Sequence, residues 1–397
     1  MDIVLDTNQG ARIKIIGVGG GGGNAVQNMI NSNLEGVSFI CANTDIQDLS
    51  RSSAIQLQIG KETTKGLGCG AKPEVGRKSA EESIDEIEKA LNDTDMVFIT
   101  AGMGGGTGTG AAPVIAKAAK EKNILTIGVV TKPFALEGAR RMEHALKGIE
   151  ELRKQVDSLV VIPNERLRSI GPKAAKFSEM FKKADDVLYD AVRGITDLIT
   201  KPGLINLDFA DLRSVMENKG MALMGEGRAS GETRALDAAK TAISNPLLED
   251  LSITGCKALL VNITTNGDLG MDEWYEAGEF IRNAARGQNG EDPEIFLGMS
   301  IDESCGDEIR ITVVATGIET PSEVQEQANA KIPASQQAAT GPRNHNPRDI
   351  LSQWENIDGP SPAVPGTADS KTAAKSESDE FTFEEDDTPA FFRRRKR

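Results

Sequence analysis

The run Asp95–Lys122, "DMVFITAGMGGGTGTGAAPVIAKAAKEK", decides how this chain folds. It begins as an apolar strand-like stretch, passes through a turn and ends in an alanine-rich helix former. Of the thirteen residues Ala101–Pro113, six are glycine, two are threonine and none is charged. Glycine in such number costs backbone entropy, so a steric demand has to justify it. A strand, a glycine turn and a helix in that order set backbone N–H groups around a concave nest, and the helix dipole adds partial positive charge. Polyphosphate suits that nest, with Thr107 and Thr109 able to donate hydroxyl hydrogen bonds; a flexible surface turn is the alternative reading.

No lysine stands in the turn. The pattern GxxxxGK[ST] occurs beside no strand, and Gly60-Lys61 is followed by Glu62. Phosphate charge must then be met by amides, by a more distant arginine such as Arg141 and by a divalent cation, Mg2+. A second glycine turn, "GVGGGGGN" (Gly17–Asn24), contains GxGxxG, and Asp45 ends the next strand. Alone it supports a dinucleotide-binding Rossmann site.

Outward from these turns the pattern alternates. "RIKIIGV", "VSFICANTD", "IQLQIG", "DMVFIT", "ILTIGVVT" and "SLVVIPN" read as strands, with helical stretches such as "NAVQNMINSNL" and "PEVGRKSAEESIDEIEKAL" between them. Apolar strands separated by helices predict a parallel sheet covered on both faces, with ligands at the carboxyl ends of its strands. A long helix follows over about 178–200, its Phe181, Ala184, Leu188, Ala191, Ile195 and Leu198 forming one stripe. Beyond it, "CKALLVNITT", "EIFLGMSID" and "EIRITVVATGI" are strands of a second, mixed α/β part, with helices near 232–243 and 272–286. After Ile318 proline, glutamine, serine and alanine dominate without periodicity, as in a disordered linker. The chain ends with seven acids in 377–387, Phe391-Phe392 and five consecutive basic residues.

Composition excludes several functions. A net charge of −15 argues against a general nucleic-acid binder, and 4% aromatic residues are too few for base-stacking platforms. Two histidines far apart, His144 and His345, exclude a histidine triad or a histidine-rich metal site. Four scattered cysteines form no CxxC, which fits a reducing cytoplasm. The opening "MDIVLDTNQGARIKIIG" has no basic segment ahead of an apolar one, so no signal peptide is expected.

At these residues the sequence resembles a known family. "GGGTGTG" is the tubulin signature loop; with "GVGGGGGNAV", "NTD" (Asn43–Asp45), "KPFALEGARR" and "GLINLDFADLR" it is similar to the FtsZ family, the tubulin-like GTPases of bacterial cell division. The resemblance implies a Rossmann-like parallel-sheet GTP-binding domain over 11–177, a central helix and loop over 178–205 and a C-terminal mixed α/β domain over 206–318. A disordered linker over 319–378 and a docking peptide over 379–397 complete it. The cofactors it implies are GTP/GDP and Mg2+, the metal held through phosphates and not by protein ligands.

The resemblance also assigns roles. Gly20, Gly21, Gly22, Gly23 and Asn24, with Asn43, and Gly104, Gly105, Gly106, Thr107, Gly108, Thr109 and Gly110 would wrap the nucleotide, and Gly70 and Ala71 would close near the γ-phosphate. Glu137 would reach the ribose, Arg141 the phosphates, and Phe181 the base. Asp185 would face guanine N1 and N2, with Asn164 close by; a carboxylate accepts both guanine donors but meets an acceptor on adenine. Cys69 and Lys72 depart from the more usual alanine and asparagine.

In "NLDFAD" (Asn206–Asp211), Asp208 and Asp211 are three apart and can point the same way. Orienting a water for attack on a phosphate and capping a helix are both open readings. A helix of this length spans about 30 Å, so the acids cannot easily reach a nucleotide at its other end. A head-to-tail neighbour can, and repeating that contact makes a filament. The resemblance implies this shared site, with Asn206 beside the two acids, in a filament at the division site on the inner face of the membrane. It also implies docking of the membrane-anchoring adaptor FtsA and other regulators on "DDTPAFFRRRKR", so membrane contact is indirect, while the basic tip can also touch anionic lipid.

Overall fold

The computed structural model describes residues 10–170, 176–201, 203–205, 207–217, 220–245, 253–287 and 290–318. Asn206 and the expected linker and docking peptide lie outside the described residues.

Six strands appear where the apolar runs predict them: β1 (Ile13–Val18), β2 (Val37–Asn43), β3 (Ile55–Gln58), β4 (Met96–Gly102), β5 (Leu125–Lys132) and β6 (Ser158–Pro163). They pair in the order β3-β2-β1-β4-β5-β6, all parallel. Side chains on both faces are buried, which explains why β4 and β6 read as unbroken apolar runs. One face packs Ile13, Ile15, Phe98 and Ile127 against helix Gly19–Asn31 and the long helix Phe177–Thr200. The other packs Ile16, Val18, Val97 and Ile99 against helices Thr107–Glu121 and Ala139–Arg153.

Five more strands continue the sheet: β7 (Gly203–Ile205), β8 (Gly220–Ala229), β9 (Ala258–Thr265), β10 (Glu294–Ile301) and β11 (Ile309–Ile318). β8 joins β6 in parallel, and the order runs on as β8-β11-β9-β10-β7 with mixed directions. Helices Arg234–Ile243 and Met271–Ala285 cover this half around their own core. Arg234, buried at the start of the first, meets Asp268, Glu273 and Asp307. β8 escapes a reading of the sequence because Gly225 and Gly227 interrupt its pattern. A side chain at either would run into the carbonyl of Ala242 or Ala238 on the covering helix.

The long helix begins at Phe177, where the Glu179 carboxylate accepts the Lys176 N–H at 2.9 Å. Ala184, Leu188, Ala191, Ile195 and Leu198 are buried in one stripe, but Phe181 leaves it and is 38% exposed. The stretch 73–91 is two helices, Pro73–Glu82 and Ile84–Ala90, broken at Ser83. Arg193 and Lys201 fasten the long helix to the second half, Arg193 meeting Asp302 at 2.7 Å.

Candidate functional site

Parallel pairing brings the carboxyl ends of β2, β1 and β4 side by side, with Val18 in register with Ala42 and Ala101. Both glycine turns therefore issue from adjacent strands. Each also becomes helical sooner than its composition suggests: one helix starts at Gly19, the other at Thr107. Glycine is a poor helix former, but the first turn needs amides more than side chains. The two helix starts touch. A Cβ on Gly19 would lie 2.9 Å from the Gly108 nitrogen, and one on Gly21 3.2 Å from Gly102 Cα.

The glycines separate into two kinds. Gly22, Gly104, Gly106, Gly108 and Gly110 are closed in by the protein itself: a Cβ on Gly106 would lie 2.5 Å from Cys69 Cβ, and one on Gly110 2.6 Å from the Arg77 nitrogen. Gly105 and Gly70 face open space, with nothing within 4 Å of an added Cβ, and Gly23 has only Cys41 Sγ at 4.0 Å. Gly20, Gly23, Asn24 and Asn43 line a cavity of about 110 Å³ whose wall includes Asp48 and Arg51. Gly70 (φ +58°) and Ala71 (φ +59°) are both left-handed, a strained setting for alanine.

The threonines turn inward. Thr107, 9% exposed, makes hydroxyl contacts with Thr44 at 2.7 Å and Cys69 at 3.4 Å, and Thr109 accepts the Gly104 N–H at 2.8 Å. Their hydroxyls serve the loop's own structure, and the groups left to face a guest are amides. Lys72 is exposed. Asp45 does not act as a dinucleotide site's acid: its carboxylate caps the short helix Ile46–Leu49 by accepting from the Gln47 N–H at 2.9 Å.

Further along the same edge, the turn after β5 carries Phe134 and Glu137, and β6 runs into Asn164. Glu137 and Arg141 pair with each other at 2.8 Å. Phe181 meets Phe134 edge to face, centroids 5.4 Å apart, with Phe134 buried behind it. Asn164 is 5% exposed and its Oδ1 has no hydrogen-bond partner among the described residues, a costly state that a donor on a guest would relieve. Asp185 is half-buried; burial first, and then the charge of Asp186, push its carboxyl up to about 7. Asp186 instead accepts from the Asn28 amide at 3.0 Å, tying helix Gly19–Asn31 to the long helix.

Asp208 and Asp211 stand elsewhere. The long helix has 24 residues, about 36 Å at 1.5 Å each, and the acids follow its far end. Helix Phe209–Met216 lies at the amino edge of the sheet, where Arg213 reaches the Asn123 carbonyl ahead of β5 at 3.4 Å, and a Cβ on Gly36 before β2 would meet Thr200 at 2.6 Å. The Asp208 carboxylate caps that helix by accepting the Asp211 N–H at 2.7 Å, while the Asp211 side chain is partly exposed. Among the described residues no group of three or more His, Cys, Asp or Glu is placed to hold a metal, and no helix is long and apolar enough to cross a membrane.

Glycine turns with bare amides and no P-loop lysine, on a parallel half-sheet continued by a mixed one, are the arrangement of a tubulin-type nucleotide-binding protein. Comparison with known proteins agrees. Residues 12–172 match the Tubulin/FtsZ family GTPase domain, and residues 220–319 match the FtsZ family C-terminal domain. The cell division protein FtsZ of Coxiella burnetii is 48% identical over 97% of this chain and 97% of its own length. That of Pseudomonas aeruginosa is 53% identical over 80% of both chains. The solved empty FtsZ dimer of M. jannaschii superposes with a TM-score of 0.73 at 42% identity, covering 78% of this chain and 89% of its own. The chain belongs to the FtsZ family of tubulin-like cell-division proteins and is a GTPase, a binder of GTP and GDP.

Proposed function

We propose that this GTPase assembles head to tail and hydrolyses GTP where two subunits meet. Gly20, Gly21, Gly22, Gly23 and Asn24 with Asn43, and the Gly104–Gly110 turn, hold the nucleotide; Gly70 and Ala71 close over the γ-phosphate. Glu137 serves the ribose and Arg141 the phosphates, so their mutual ion pair opens on binding. Phe181 stacks on the base, braced by Phe134, and Asp185 with Asn164 reads guanine. Mg2+ would be held through the phosphate oxygens and would neutralise their charge.

One observation carries this reading: the amide nest and the Asp208–Asp211 turn stand at opposite edges of one sheet, about a long helix apart. Asp211, with Asp208 and Asn206, then orients the attacking water on the nucleotide of the next subunit, and Asp208 shapes the turn by capping it. The heterologous contact repeats into a filament, and the M. jannaschii dimer, a relative that self-associates, supports it. In the cell the filament forms the cytokinetic ring at mid-cell, under the membrane, with the domains dividing at 177, 205 and 318. The peptide 379–397 recruits FtsA and other division proteins, and its basic tip adds lipid contact. Specific GTPase activity measured against protein concentration tests the shared site. It should be near zero when dilute and rise above a threshold together with light scattering; constant specific activity to high dilution refutes it.

A further inference from the structure

Three side chains from three separate segments meet at one buried point. Thr44 follows β2 and is 0% exposed, Cys69 lies in the turn before Gly70, and Thr107 is the first residue of the phosphate helix. Thr44 Oγ1 and Thr107 Oγ1 are 2.7 Å apart, Thr44 Oγ1 and Cys69 Sγ 3.3 Å, and Thr107 Oγ1 donates to Cys69 Sγ at 3.4 Å. The three contacts close a ring in which each group donates once and accepts once: Thr107 to Cys69, Cys69 to Thr44, Thr44 to Thr107. A fully satisfied buried polar network is rigid, and losing one member leaves its neighbours short of a partner.

The place of the ring gives it a task. Cys69 is followed directly by Gly70 and Ala71, both held at positive φ, and the strained setting of Ala71 persists only where its surroundings fix it. On its other side Cys69 backs Gly106, whose missing Cβ would lie 2.5 Å from Cys69 Cβ. The thiol thus sets the distance between the turn that carries Gly70 and the turn that carries Gly105 and Gly106.

We propose that Cys69 is a positioning residue for the terminal phosphate of GTP: through Thr44 and Thr107 it fixes the spacing of the two turns between which the γ-phosphate sits. The proposal rests on the reading of Gly70–Ala71 and Gly104–Gly110 as the phosphate cradle. GDP lacks the γ-phosphate, so on this proposal the ring acts on GTP alone.

Direct binding of GTP and of GDP to the full chain tests this. In Cys69→Ala, GTP affinity should fall about three- to tenfold, the worth of one hydrogen bond, with GDP affinity within about twofold of wild type. Cys69→Ser, whose hydroxyl donates once and accepts once, should recover most of the loss. Thr44→Val, which keeps the shape and breaks the ring from its other side, should repeat the GTP-specific loss and raise KM for GTP more than it lowers kcat. Equal weakening of both nucleotides, wild-type behaviour of Cys69→Ala, or a serine no better than alanine overturns the proposal. Failure of the cradle reading shows separately, as a Gly105→Asp chain that binds both nucleotides at the wild-type level, and it overturns the proposal with it.

Discussion

Two neighbouring regions use glycine for opposite reasons. From Gly106 to Gly110 the chain is cinched: helix Pro73–Glu82 lies so close that Gly76 and Gly110 leave no room for a side chain on either partner. At Gly70 and Gly105, a few residues away, the backbone faces open space. The first kind of glycine lets protein approach protein and belongs to the fold. The second leaves amides bare, and on the proposed reading these face the ligand. A glycine-rich turn is therefore two signals overlaid, and only the spatial neighbours of each residue separate them.

The largest effect should come from the cinched region. In Gly110→Val the new Cβ would collide with the Pro73 carbonyl and the Arg77 amide, both backbone that cannot turn aside. Unfolding in denaturant should show a loss of more than about 4 kcal/mol, or no folded protein at all. Gly105→Asp is the contrasting variant. With no atom within 4 Å of its Cβ it should unfold within about 0.5 kcal/mol of wild type, yet bind GTP about 10²- to 10³-fold more weakly, because a carboxylate would face phosphate. A destabilised Gly105→Asp, or a stable Gly110→Val, erases the distinction.

Asp211→Ala extends the contrast to the two edges of the sheet. Far from the nest and partly exposed, it should leave GTP affinity and stability near wild type while kcat falls about 100-fold, as expected for loss of one water-orienting carboxylate. Weakened GTP binding by the isolated subunit would place the acid at its own nucleotide and break the two-edge reading.

Much of this was legible in the sequence, because apolar runs bounded by turns carry enough signal for β1 to β6 and for β9, β10 and β11. β8 was not, since Gly225 and Gly227 remove the side chains that would mark it and their reason lies on a helix, at Ala242 and Ala238, eleven or more residues away. The glycine turns were legible as turns between strand and helix but not as helix starts, because propensity argues against a helix beginning at Gly19. Phe181 and Asp185 gained meaning only from resemblance. Their periodic positions suit a buried stripe and a solvated face equally well, and burial alone shows that Phe181 stands out of the stripe. No spacing rule links Thr44, Cys69 and Thr107, whose contact depends on three strands and turns closing together.

The smallest effect concerns Asp185, a half-buried residue on the long helix. Its carboxyl, pushed up to about 7 mainly by burial, has no hydrogen-bond partner among the described residues. Between about pH 4 and pH 7 the folded chain keeps a proton that the unfolded chain has lost, so this residue's contribution to stability is full below that window and lost as pH rises through it. Asp185→Asn does not titrate; it should match wild type near pH 4 and be more stable by about 1–2 kcal/mol at pH 8, the shift being discounted for partial exposure. Nucleotide should reverse the preference if Asp185 reads the base. Guanine N1 and N2 are donors, so the ionised carboxylate is the form that binds them. Wild-type affinity for GDP should therefore rise about five- to tenfold from pH 6 to pH 8 relative to the variant, whose own profile subtracts any titration of the nucleotide's phosphates. Parallel profiles for the two proteins would mean that Asp185 does not read the base.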